Sequence, residues 1–341
     1  MMRHKLLVLL LFQFGLAAST AGHAEEYHLG QGLPVGDFLL SGYANLVADA
    51  PRGGIATGSI DDFSLFVSGR VNRWLNPFIE TEISSLTLAQ QGGGPRSNGN
   101  FILERFYNDA RISDSDTLRV GKMLAPVGDW NLVHAAPLVP TITRPLTTFQ
   151  GFSEYANGVS WLHENPMGEG PDWQLYWQPG NEWHERPASI TRHHFRDVWG
   201  AHVNWPLGFA DKVGASFQRG QLVETGETYH ISGVNLRKSF SKLLLETEAT
   251  TSTWSGAVPR AHDRESGAYV LTDYAFSPRW HGILEWEHYQ DHLVAQPSRN
   301  TLVGVAYKPE PTLVWKLEYV NQMGVSPDIP TGWFASFSTL F

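Results

Sequence analysis

The chain of 341 residues carries 34 acidic and 25 basic side chains, 12% aromatic and 17% charged residues, and no cysteine. A disulfide framework, a thiolate metal site and a cysteine nucleophile are thereby excluded, and a net charge of −9 leaves no basic footprint for nucleic acid. So low a charged fraction, against about 25% in soluble domains, together with so many aromatic rings, suits a surface that partly avoids water.

Arg3 and Lys5 precede the apolar run Leu6 to Phe12, and small residues follow as far as Gly22 and Ala24. This is the layout of a cleaved secretion signal over 1–24, with Glu25 as the mature N-terminus. The run is too short for a membrane anchor, and Gln13 interrupts it. Beyond Ala24 no apolar stretch reaches the roughly 18 residues of a spanning helix.

From there the chain reads as short alternating segments. Sixteen strands are expected, over roughly 36–48, 60–74, 78–89, 100–112, 117–125, 157–164, 172–178, 193–205, 212–220, 228–239, 242–252, 265–276, 279–291, 299–308, 312–321 and 332–341. Phe63, Leu65, Val67 and Val71 oppose Ser64, Ser68, Arg70 and Asn72. Ile79 and Ile83 oppose Glu80, Glu82 and Ser84, and Trp173, Leu175 and Trp177 oppose Asp172, Gln174 and Tyr176. Later, Trp280, Leu284 and Trp286 oppose His281, Glu285 and Glu287, and Leu313, Trp315, Leu317 and Tyr319 oppose Lys316 and Glu318. The strand at 100–112 fits least well, because Glu104 and Arg105 fall on opposite parities.

Seven tight turns, at 76–77, 113–116, 165–171, 206–211, 239–241, 277–278 and 309–311, alternate with longer connections centred near 54, 95, 140, 185, 224, 257, 295 and 326. Short turns on one side, long loops on the other and an even strand count describe an all-β transmembrane antiparallel barrel, filling 25–341 as a single domain. A soluble sandwich also alternates, but does not call for a secretion signal, tryptophan-rich strand ends and an aromatic C-terminus together. The closing strand must pair with the first, near residues 36–48, to complete the ring.

That strand, "GWFASFSTLF", with Trp333, Phe337 and Phe341 on one parity, resembles the C-terminal signature of bacterial outer-membrane barrels. The resemblance implies that the barrel-insertion machinery reads it. The longest connection, Pro126 to Ala156, resembles in position and length the third outer loop of the sixteen-stranded general porins, which folds into the lumen. The stretches "LRVGKMLAPVGDWN" and "SEYANGVSW" around it are similar to the phosphate-selective porin superfamily, whose basic ladder is absent: the mature chain has only Lys122, Lys212, Lys238, Lys242, Lys308 and Lys316, scattered over different strands.

The porin resemblance implies a passive pore for small hydrophilic solutes, with outer-membrane lipid as surroundings, a homotrimeric assembly and no cofactor. Lumen parity collects Glu80, Glu82, Glu246, Glu248, Asp273, Glu285, Glu287 and Glu318 against Arg70, Arg119, Arg237 and Lys316, a balance that favours cations in a narrow pore. In the long loop, Arg144 and His134 are placed to face Asp129 and Glu154. Trp130, Phe149 and Tyr155 offer stacking surfaces, though loop packing accounts for the same residues.

Catalytic patterns are weak. "GFSEY" at 151–155 lacks the second glycine of a nucleophile elbow. "HYQDH" at 288–292 lacks the glutamate of a zinc-protease helix, and "RHHFR" at 192–196 reads as the start of a strand and not as a metal site. The glutamate pairs 80/82 and 285/287 lie two apart on a strand, so both point into one lumen. A barrel sheathing a protein partner and a secreted β-rich enzyme or binding protein are the competing readings.

Overall fold

The computed structural model describes residues 29–166, 168, 170–183, 193–324 and 329–341. The proposed signal at 1–24 lies outside them. Among the described residues, a three-residue strand β1 (Leu33–Val35) precedes β2 (Phe38–Pro51), β3 (Thr57–Gly69), β4 (Pro77–Gln90), β5 (Asn100–Arg111) and β6 (Asp116–Leu124). After the long loop come β7 (Tyr155–His163), β8 (Asp172–Asn181), β9 (Phe195–Pro206), β10 (Lys212–Leu222), β11 (Thr228–Phe240) and β12 (Leu243–Ser255). The last five are β13 (Arg264–Ala275), β14 (Trp280–Gln290), β15 (Ser298–Glu310), β16 (Leu313–Met323) and β17 (Gly332–Leu340).

Strands β2 to β17 pair antiparallel in sequence order, and β17 returns to β2, so sixteen strands close a barrel. Closure gives every strand of the ring two neighbours, the condition for backbone N–H and C=O groups to survive in lipid. Each of the sixteen expected strands is present, with ends shifted by up to about five residues, most at the end of β3. Arg70, expected inside the lumen, lies beyond β3 on the short-turn rim and is exposed.

The outer wall is apolar. Leu175, Val203, Val234, Leu284, Val303 and Leu317 all point outward and are exposed. Near the short-turn rim, Trp280 meets Tyr307 with centroids 4.6 Å apart, and Trp315 meets Phe337 at 4.5 Å. Toward the other rim, Trp177 pairs across strands with Trp199, and Tyr319 meets Trp333 at 5.0 Å. Two aromatic girdles around an apolar band are the outer surface of a bilayer-spanning barrel. The protein is a membrane-spanning barrel.

The seam explains the C-terminus. Phe341 exchanges two backbone hydrogen bonds with Gly42, each 2.9 Å, and its ring stacks on Phe63 at 5.8 Å. To get there the ring lies over Gly42, where a Cβ would come within 2.7 Å of Phe341 Cζ. An aromatic laid across a strand glycine covers backbone that no side chain protects. Below this point β2 has lost β17, and β1 takes the vacant edge, with Leu33 opposite Leu40 and Val35 opposite Phe38. The sequence pattern does not announce β1, because three residues are too few to show alternation.

Removing the Phe341 ring (Phe341→Ala) should cost about 0.5–1.5 kcal/mol, the worth of an aromatic pair, in urea unfolding followed by tryptophan fluorescence. Gly42→Val should press on Ser64 O and also displace the same ring, so the double variant should lose less than the sum of the singles. Additive losses would show that ring and glycine act independently.

Candidate passage between the inward loop and the acidic wall

The loop from Ala125 to Glu154 begins and ends at one neck, where Ala125 N–H donates to Glu154 O at 2.8 Å. The Asn131 amide donates to the Ala125 and Glu154 carbonyls at 2.8 and 3.0 Å, tying the neck from inside. Except for one 3-10 turn, Leu146–Thr148, the loop has no regular structure. Its backbone polar groups must therefore be satisfied by the barrel wall.

The wall answers with charge. At "PVGDWN", Gly128 N–H donates to Ser216 Oγ at 3.0 Å, and the Asp129 and Trp130 N–H groups both donate to Glu248 Oε1, at 2.9 and 2.8 Å. Gly128 has φ +71°, and a Cβ there would run into Glu248 Oε2, so glycine is required twice over. Farther along, Lys316 Nζ donates to the carbonyls of Ala136, Val139 and Thr141, at 2.7, 2.7 and 2.9 Å. Glu318 accepts the Ile142 and Thr143 N–H groups, one per carboxylate oxygen, both at 2.8 Å. Glu287 Oε1 accepts the N–H and hydroxyl of Thr147 at 2.8 and 2.9 Å, and Gln218 exchanges two bonds with the Ser153 backbone. The loop thus crosses from β12 to β16, returns past β14 and leaves beside β10.

Apolar contacts follow the same track. Trp130 meets Tyr269 edge-on at 6.0 Å beside Leu271 and Val139. Leu146 is buried among Ile283, Leu302 and Val314, with Ile142 and Phe149 packed alongside. Val127 and Phe152 join Tyr176, Phe195, Tyr229 and Trp254.

The loop leaves space on both sides: about 470 Å3 lies between its Asp129–Pro140 part and β10–β13, lined by Lys212, Arg237, Glu246 and Glu248. A cavity of about 240 Å3 lies between its inner segment and β2–β5. Asp61, Asp62, Glu82 and Glu104 line the wall, and His134 and Arg144 the loop. Two of these acids owe their position to β-bulges. The β2–β3 register slips between Asn45 and Leu46, leaving Asp61 as the extra residue, and the β4–β5 register slips at Glu80 and Thr81, leaving Glu104. A bulge breaks parity and re-aims a side chain. That is why Glu104 and Arg105 share the lumen despite adjacent positions: Arg105 pairs with Glu80, while Glu104 accepts the Tyr155 hydroxyl.

The expected loop charges fall out differently from one another. Arg144 Nη1 does meet Glu154 Oε1, at 2.8 Å, and also holds Asn131 and Thr148, with Phe149 under its guanidinium at 5.2 Å. Asp129 instead turns to the wall, 2.7 Å from Lys212 Nζ and bonded by Asn204 and Asn235. His134 Nε2 faces Glu104 at 3.7 Å. Of the wall groups, Arg237 pairs with Glu246, Arg119 with Asp109 at 2.8 Å, and Asp273 with His281 at 2.7 Å. Glu285 is buried between Leu271 and Leu302, which sit opposite it on the neighbouring strands. Asp61, Asp62, Glu104 and Lys212 are lumen residues beyond those expected.

No protein-family model matches this chain, and no curated protein matches its sequence. Solved structures do share its fold. OmpT, an outer-membrane protein of Vibrio cholerae, superposes with a TM-score of 0.64 at 10% identity, over 91% of this chain and 100% of that one. An anion-selective porin from Comamonas acidovorans gives 0.64 at 11% identity, over 89% and 99%. The outer-membrane channel DcaP of Acinetobacter baumannii gives 0.60 at 12%, over 91% and 99%. The chain is built like these bacterial outer-membrane proteins.

Glu318→Ala should speed hydrogen exchange at the Ile142 and Thr143 amides about tenfold to a hundredfold, the equivalent of roughly 1.5–3 kcal/mol for a bond to a charged group. Thr147, held by Glu287, should keep its protection. Unchanged exchange at Ile142 and Thr143 would mean that the carboxylate does not hold the loop.

Proposed function

We propose that the protein is a passive outer-membrane pore for small hydrophilic solutes, with a preference for cations. The observation that carries this reading is the cavity beside β2–β5, where four carboxylates face one arginine and one histidine. The arginine is already matched by Glu154. Negative charge therefore dominates the space a solute would cross, and near-wall carboxylates attract cations by Coulomb forces that exposed charges elsewhere lose to screening over about 8 Å. The acids lining this cavity are not those that hold the loop: Glu248, Glu287 and Glu318 accept its backbone N–H groups, and Asp61, which lines the cavity with Asp62 and Glu82, accepts the Asn45 amide at 3.2 Å.

The reading is of a conduit and not of a catalyst. Fold shared with the Comamonas porin supports a diffusion role, and the trimer form of Vibrio OmpT supports a homotrimer. Insertion through the barrel-assembly machinery belongs to the same proposal, supported by the seam position of Phe341.

In planar bilayers under a KCl gradient, the reversal potential should show cation preference. Asp61→Asn/Asp62→Asn/Glu82→Gln should shift it toward zero or beyond, and Arg144→Ala should leave it cation-preferring. Deleting about ten residues over 137–147, where the loop is held on β16, should raise single-channel conductance. A wild-type pore that prefers chloride would overturn the proposal, and so would an unaltered conductance after the deletion.

A further inference from the structure

The rim bearing the long connections holds a second cluster, away from the passage. Glu265, near the start of β13, and Asp291 and His292, just after β14, bring one ligand atom each within 4.8 Å of one another. His292 Nδ1 stands 2.5 Å from Glu265 Oε2 and 3.7 Å from Asp291 Oδ1. Each donor is oriented from behind. The His292 ring stacks on Trp254, centroids 4.3 Å apart and planes within 10°. The second Glu265 oxygen accepts the Tyr289 hydroxyl, and Asp291 Oδ1 accepts Leu293 N–H at 2.7 Å. Glu265 and His292 are buried, while Asp291 is 25% exposed and opens the cluster to solvent.

We propose that Glu265, Asp291 and His292 bind one divalent transition-metal ion of the zinc type at the outer mouth of the barrel. A structural His–Glu pair accounts for the 2.5 Å contact alone. Asp291 Oδ1, though bonded by Leu293 N–H, stands 3.7 Å from the same nitrogen without hydrogen-bonding to it and keeps a lone pair for an ion. The 3.7 Å distance already suits two atoms on a common centre, while the 2.5 Å contact has to open. With metal–ligand bonds of about 2.0–2.2 Å, ligand atoms lie roughly 3–4 Å apart, so a shift of under about 1 Å admits the ion. The ion takes the place of the proton between Nδ1 and Oε2, the two carboxylates balance its charge, and water fills the remaining position. One imidazole with two carboxylates suits zinc-like ions; calcium asks for six to eight oxygens.

Such an ion would fasten several pieces together. Ala261 and His262 N–H groups donate to His292 O, each at 3.0 Å, so the connection after β12 is tied in. Glu265 Oε1 also lies where a Cβ on Gly151 would come within 2.7 Å, which puts the inward loop against the site. Metal binding would therefore stiffen the mouth from β12 to the loop.

The test is titration of the refolded, chelator-treated full chain with Zn2+ by calorimetry, with thermal unfolding alongside. One saturable Zn2+ per chain and a raised unfolding midpoint are expected. His292→Ala and the more exposed Asp291→Asn should each weaken binding by roughly tenfold or more, and His262→Ala should not. Absence of saturable binding overturns the proposal. So does unchanged affinity in Asp291→Asn, which decides the matter even if His292→Ala fails to fold.

Discussion

Everything in this molecule answers to one requirement: each backbone N–H and C=O removed from water needs a partner. The strands meet it by closing the ring, β17 on β2. A loop of some thirty residues inside that ring cannot meet it alone, since it forms only a single 3-10 turn. Carboxylates on β12, β14 and β16 accept its N–H groups, and the Lys316 ammonium gathers three of its carbonyls. The charged wall is thus partly structural. Charges that would be expensive alone in a confined lumen are matched by loop backbone that would be expensive alone too.

This division of labour shapes the space left inside the barrel. The loop is fastened along β10–β16, where a cavity of about 470 Å3 stays open against β10–β13, and a second of about 240 Å3 lies beside β2–β5, where the wall departs from regular pleating. Bulges at Asp61 and Glu104 occur on β3 and β5, and Ser85 between them on β4 has φ +58°, a conformation that L-residues seldom adopt. Irregular backbone at a working surface is a common trade of local stability for side-chain placement. Here it adds two acids to a face that alternation would have left with Asp62 and Glu82.

The barrel was legible because its signal is periodic and repeated: Trp315, Leu317 and Tyr319 against Lys316 and Glu318 can sit only on a two-faced wall. The turn pattern then ordered the strands. Parity also placed Glu248, Glu287 and Glu318 inside. It could not show that they are spent on the loop, because backbone donors leave no trace in side-chain chemistry. The adjacent Asp61 and Asp62, and Glu104 beside Arg105, were the visible marks of bulges: two charges in succession on a strand in lipid demand that one parity step be skipped. Asp129 facing Lys212 instead of Arg144 depended on how the loop folds back, which local pattern does not encode.

The most direct test is whether solutes pass the acidic wall, and the absence of cysteine makes that wall easy to probe. Ser85 lines the cavity and is exposed. In a Ser85→Cys variant in bilayers, a positively charged thiol reagent should modify the new sulfur faster than a negatively charged reagent of the same size, and each modification should reduce the current. Equal rates, a faster anionic reagent, or modification without any change in current would contradict the placement of the passage beside β2–β5.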